Sequence, residues 1–151
     1  VQVAGRAGRA ADKGKVVIQT RLPDNPLLLT LVRGGYAPFA DALLQDRRMS
    51  LWPPYCRLAI VRAESTTPGA GLQLLESIYA TLSKEPELQC APPGPAPMER
   101  RAGRYRAQLM ITADSPNALI NQLSRLRHYL ESSKTTGVAR WNIEVDPVDM
   151  L

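Results

Sequence analysis

From Arg57 onward the spacing of apolar residues switches between the period of a strand and that of a helix. Arg57 to Ala63 is a nearly continuous apolar run, short enough for a buried strand. After the Pro68-Gly69 break, Leu72, Leu75, Ile78 and Leu82 recur at three- and four-residue intervals, which puts them on one helical face. Leu88 to Ala91 reads as a short strand that runs into Pro92-Pro93-Gly94-Pro95-Ala96-Pro97. Each proline lacks a donor, so this stretch is an edge or an extended connector rather than an interior strand. Tyr105, Ala107, Leu109 and Ile111 alternate with Arg104, Arg106, Gln108 and Met110, giving a strand with one apolar and one mixed, basic face. Ser115-Pro116 starts a second helix whose buried stripe is Leu119, Leu123, Leu126 and Leu130, and Gly137 ends that segment. Finally Ala139, Trp141, Ile143 and Val145 face one way and Arg140, Asn142, Glu144 and Asp146 the other. Trp141, in phase with Ile143 and Val145, is a core residue on this pattern, and Asp146-Pro147 is the turn that closes the strand.

The order strand-helix-strand-strand-helix-strand is the split βαββαβ arrangement, an α+β, ferredoxin-like fold with both helices on one face of an antiparallel sheet. In that topology the third and fourth strands flank the first, so Arg104, Arg106 and Arg140 are expected to meet on the uncovered face. Faces of this kind hold nucleic acid through cations on phosphates, and these three arginines are the DNA-binding candidates.

Ahead of residue 50 the pattern differs. Asp12-Lys13-Gly14-Lys15 reads as a turn and Val16 to Thr20 as a strand rich in β-branched residues. Pro26 starts a helix through Val32, Gly34-Gly35 breaks it, and Pro38 to Met49 forms a second. Trp52-Pro53-Pro54-Tyr55 cannot continue that helix, so a hinge is expected there, with Trp52 and Tyr55 packing it. The chain divides on this basis into residues 1–50 and 51–151.

Charge changes this picture only through its distribution. The chain carries a net +5, but residues 1–50 hold eight Lys/Arg against four Asp/Glu while 51–151 hold eleven against ten. The basic excess therefore lies near the amino end, with a local cluster at Arg100, Arg101, Arg104 and Arg106, consistent with a polyanionic partner. Cys56 and Cys90 stand 34 positions apart with a single histidine, His128, in the chain, which encodes no zinc site. Free thiols in a reducing cytosol are expected. No run of apolar residues is long enough for a membrane span, and nothing resembles a signal leader. His128 has no triad partner, Glu144, Asp146 and Asp149 alternate along the strand rather than converge on a metal, and Pro68-Gly69-Ala70-Gly71 is a helix start, not a phosphate loop.

The opening stretch Gln2-Val3-Ala4-Gly5-Arg6-Ala7-Gly8-Arg9 carries the sharpest chemistry. On a helix Gln2 and Arg6 are four apart and Arg6 and Arg9 three apart, so one face presents two guanidiniums. Such planar, permanently charged forks suit phosphate oxygens, and one inserted from a second lobe neutralises charge on a transferring γ-phosphoryl group. The alternative is a solvated basic turn. Gln-x-x-Gly-Arg-x-x-Arg resembles the final motif of superfamily 2 helicases, and its wording here is similar to the PriA family of primosomal replication-restart helicases. Further landmarks follow in that family's order: Val16 to Thr20, Arg47-Arg48 with Trp52 to Ala59, Gly94 to Arg100, Gly103 to Arg106, and Trp141 to Pro147. Ala10, where the family often has Gly, and Trp52-Pro53-Pro54-Tyr55, where Tyr-Pro-Pro-Phe is usual, are mild departures.

The resemblance implies that residues 1–50 are the end of a helicase second motor lobe and 51–151 a carboxy-terminal DNA-binding domain. It implies ATP-dependent 3′-to-5′ unwinding at stalled forks by the whole protein, with ATP and magnesium as its cofactors and zinc in an upstream insertion. Arg9 and Arg6 would then act in catalysis, with Gln2, Arg6 and Arg9 sensing nucleotide. The implied partners are forked or branched DNA, single-stranded DNA, single-strand-binding protein and other primosome proteins, in the cytoplasm at the nucleoid. Because no phosphate loop or Asp-Glu magnesium pair occurs in the sequence, the chain alone is expected to be inactive as an ATPase. A stand-alone, non-catalytic nucleic-acid-binding module and a related fork-repair helicase are the alternatives.

Overall fold

The computed structural model describes residues 16–133 and 140–147. The chain splits into two compact units, Val1–Met49 and Ser50–Leu151.

In the first unit, α1 (Pro26–Gly34) begins at Asn25, whose side-chain oxygen accepts the N–H groups of Leu27 and Leu28 at 3.0 and 3.2 Å. Pro26 occupies the first turn, where a missing donor costs nothing. Gly35, at φ 79°, ends the helix by donating to the Leu31 carbonyl, a conformation open to glycine without penalty. Helix α2 (Tyr36–Met49) follows directly. Both helices and the break between them agree with the sequence pattern to within a turn. The expected strand at Val16 to Thr20 is absent: this segment has no regular structure and its side chains are exposed. β-Branched residues favour a pleated surface, but a strand persists only against a partner's ladder, and no described residue pairs with this one.

The second unit is built on one antiparallel sheet. Its elements are β1 (Arg57–Ser65), α3 (Ala70–Leu82), β2 (Gln89–Cys90), β3 (Gly94–Arg101), β4 (Arg104–Ala113), α4 (Pro116–Ser132) and β5 (Arg140–Val145). The strand order is β2-β4-β1-β5, with β3 also pairing β4. Since β1 occupies one side of β4 from Tyr105 to Ala113, β2 and β3 share the other, β2 opposite Ile111 and Thr112 and β3 opposite Arg104 to Gln108. The proline-rich stretch is thus an edge strand, as its missing donors require, interrupted by a shift of register between Pro95 and Arg100. It makes five strands where the apolar pattern yields four.

The core lies on one face of this sheet. Ala59, Val61 and Ala63 of β1 and Ala107, Leu109 and Ile111 of β4 pack beneath Leu75, Ile78 and Leu82 of α3 and the four leucines of α4. Each fully buried leucine contributes about 1.5–3 kcal/mol. Small residues on the strands let α3 come close: a Cβ on Gly71 would lie 3.2 Å from the Ala63 backbone oxygen. Trp141 and Ile143 flank the cluster half-buried, on the side the alternation assigns them. Ser115 starts α4 by accepting from Ala118 N–H, and Asp146 ends β5 by accepting from Leu58 N–H at 3.2 Å while its own N–H donates to the Leu58 carbonyl.

Candidate nucleic-acid interface

The sheet face away from the helices has two halves. Toward Leu58 and Ile60 it is apolar, and a shallow recess there is bounded by Trp52, Gln89, Met110 and Thr112. Trp52 and Tyr55 are both partly exposed. Toward the end of β1 the face is polar, and a depression of about 440 Å³ opens there, lined by Arg62, Glu64, Arg106, Arg140, Trp141, Asn142 and Glu144.

Register explains this composition. Glu64 of β1 lies opposite Arg106 of β4 on one side and Arg140 of β5 on the other. In the next row of the same face, Arg62 lies between Gln108 and Asn142. The strands therefore lay cations and carboxylates in a checkerboard. Arg62 forms an ion pair with Glu144, which also accepts from the Asn142 amide at 2.7 Å. Arg106 Nε stands 3.2 Å from Glu64 Oε1, close enough for an ion pair although its N–H is not aimed at the carboxylate, and Arg106 Nη1 donates to the Met98 carbonyl at 3.4 Å. Arg57 pairs with Asp146 at 2.9 Å at the far end of the strand.

Of the three arginines proposed from sequence, two come together here. Arg106 and Arg140 line the depression, and Arg140 is exposed. Arg104 has the same parity in β4 but lies one residue past the last β1 pair, Ser65 with Tyr105, and so outside the depression. The expected basic outward side is a charge-compensated one: Glu64 and Glu144 stand among the arginines, and so does Arg62, which lies within the stretch that the apolar pattern reads as one run. Its signal was available, since Arg62 and Glu64 are two apart in an otherwise apolar strand and must share its opposite face. Gln2, Arg6 and Arg9 lie outside the described residues, as does Asp149. His128 is exposed on α4. Among the described residues no helix is long and apolar enough to cross a membrane, and no group of His, Cys, Asp and Glu gathers in a metal-binding cluster.

Arg100 adds a second basic feature, its guanidinium lying 5.3 Å from the centre of the Tyr105 ring. Together with Arg101 and Arg104 it surrounds the turn between β3 and β4, at the end of the sheet remote from Asp146.

Comparison with known proteins places this architecture. Residues 48–148 match the family model described as primosomal protein N C-terminal domain. Among curated proteins, the chain is 37% identical over 99% of its length to the replication restart protein PriA of Haemophilus influenzae, of which it covers 20%. It is 32% identical to that of Synechocystis over 99% of the chain and 18% of the relative, and 31% identical to that of Treponema pallidum over 100% and 23%. The chain spans about a fifth of the length of these relatives. On the match to residues 48–148, and on collinear similarity across nearly all of its length, the chain belongs to the primosomal protein N C-terminal domain family.

Proposed function

We propose that the chain is the carboxy-terminal part of a PriA-type replication-restart helicase, an ATP-dependent 3′-to-5′ motor that recognises stalled or branched forks and starts primosome assembly. The observation that carries this is the collinear similarity to replication restart proteins over 99% of the chain. In this reading residues 1–50 finish the second motor lobe and 51–151 form the DNA-binding domain. The order β2-β4-β1-β5 supports a ferredoxin-like split βαβ sheet whose second strand is divided into β2 and β3. Arg6 and Arg9, with Gln2, contribute two guanidiniums and an amide toward an ATP-magnesium site whose phosphate cradle belongs to the rest of the motor. Zinc belongs to an upstream insertion. Partners are forked and single-stranded DNA, single-strand-binding protein and other primosome proteins, and the setting is the cytoplasm at the nucleoid.

The test is binding of the 151-residue chain to a three-way fork and to a linear duplex of equal length at matched salt, followed by fluorescence anisotropy. A preference for the fork that survives rising salt is expected. Equal affinities that vanish together with salt would leave only a generic basic domain and sink the proposal.

A further inference from the structure

The sheet face spends much of its positive charge internally, while the β3–β4 hairpin does not. Arg101 and Arg104 are a directly opposed pair flanking a two-residue turn, Ala102-Gly103. Both turn residues have positive φ, 49° and 77°, the conformation of the tight type I′ hairpin whose twist matches that of its strands. The tip is consequently short and fixed rather than a floppy loop. Residues 97–103 are exposed, and the last pair and the turn extend past the end of β1. Arg100, Arg101 and Arg104 form no ion pair among the described residues, in contrast to Arg57, Arg62 and Arg106. Glu99 beside them leaves this stretch with a clear cationic excess.

We infer that the tip of the β3–β4 hairpin is a duplex-DNA arm, gripping phosphates through Arg100, Arg101 and Arg104. The inference rests on the DNA-binding reading above and moves its principal contact from the sheet face to the hairpin. Two observations select duplex over single-stranded DNA. Single strands bind through aromatic platforms as well as cations, but the one ring at this tip, Tyr105, is already covered by Arg100. Duplex backbone requires only positioned positive charge, and guanidiniums on both strands of a rigid ribbon supply it. Phosphate contact carries no sequence information, so the arm is indifferent to base sequence.

The experiment measures the salt dependence of duplex binding by the 151-residue chain, by its R100A/R101A/R104A variant and by the R100K/R101K/R104K variant. Each phosphate contact contributes about 0.9 to the slope of log K against log salt, so the alanine variant should lose about 2.7 of slope. A rise from about 50 to about 200 mM salt should therefore weaken wild type about 40-fold more than the alanine variant. The lysine variant should keep most of the slope, and the loss on single-stranded DNA should be much smaller than on duplex. If wild type binds duplex and forks but the alanine variant keeps its slope, the hairpin is not the arm, while the wider DNA-binding reading stands. A larger loss on single strands than on duplex also overturns the assignment. If wild type binds neither forks nor duplex, the DNA-binding reading itself falls and takes the arm with it. Unchanged thermal unfolding of both variants, expected for exposed tip residues, ties any loss to binding rather than folding.

Discussion

The pair between Arg62 and Glu144 offers a quantitative check on how the polar half of the sheet is held. The Arg62 side chain is 9% exposed and that of Glu144 39%, so the pair lies between the surface case, worth about 0–1 kcal/mol, and the fully buried case, in which removing one partner costs about 3–5 kcal/mol. Glu144→Gln removes the carboxylate that pairs with the nearly buried Arg62 guanidinium while keeping the size of the partner, and about 2 kcal/mol of destabilisation is expected. Arg62→Met costs less, about 1 kcal/mol, because Glu144 recovers water and keeps the Asn142 amide. The double variant, with no charge left to compensate, should also lose only about 1 kcal/mol, so the coupling is about 2 kcal/mol in magnitude. Urea unfolding followed by far-UV circular dichroism reads these differences directly, and for a domain of this size about 2 kcal/mol corresponds to roughly 8–16 °C in Tm. Single variants that add within about 0.5 kcal/mol would refute the reasoning, since they would mean that the guanidinium does not depend on Glu144.

Two other outcomes follow from local geometry. Ala102 adopts φ 49°, where an alanine Cβ is strained, so Ala102→Asn, which creates the Asn-Gly pair favoured in such turns, should raise stability by about 1 kcal/mol in the same unfolding assay. Burial raises the pKa of both thiols above the ordinary value of 9.0, with Asp114 and Asp146 adding to the effect at Cys56. The native chain then holds these protons to higher pH than the unfolded chain, so the thiols' contribution to stability is fully present below pH 9.0 and is lost as pH rises above it through the raised native values, and replacing both cysteines by serine should flatten that decline.

What was legible in the sequence was whatever has a period. β1, β4 and β5 and the helices α3 and α4 each announce themselves through spacing, down to Trp141 facing the core. β3 did not, because Pro95 and Pro97 mask strand propensity, and only the partner strand decides whether such a segment pairs or wanders. Val16 to Thr20 is the reverse case, good propensity without a ladder. The candidate site was half legible for a related reason. Parity put Arg104 and Arg106 on one face of one strand and Arg140 on that face of another, but register decides what stands beside each. Glu64 sits 42 positions from Arg106 in sequence yet directly across from it, and no local pattern encodes that neighbour. Arg100 on Tyr105 is likewise a cross-strand contact, visible only once the hairpin turn is fixed.

The divided outer edge of the sheet bears on how this domain coexists with copies of itself. An exposed edge strand displays a row of unmatched amide donors and carbonyls and invites another chain to extend the sheet. Here that row is cut in three: β2 offers two residues, Pro92 and Pro93 follow, and β3 lacks the donors of Pro95 and Pro97 and slips its register between Pro95 and Arg100. The edge therefore has no continuous template on which a second molecule could zip, and the prolines that hide β3 from a reader of the sequence also hide it from neighbouring chains.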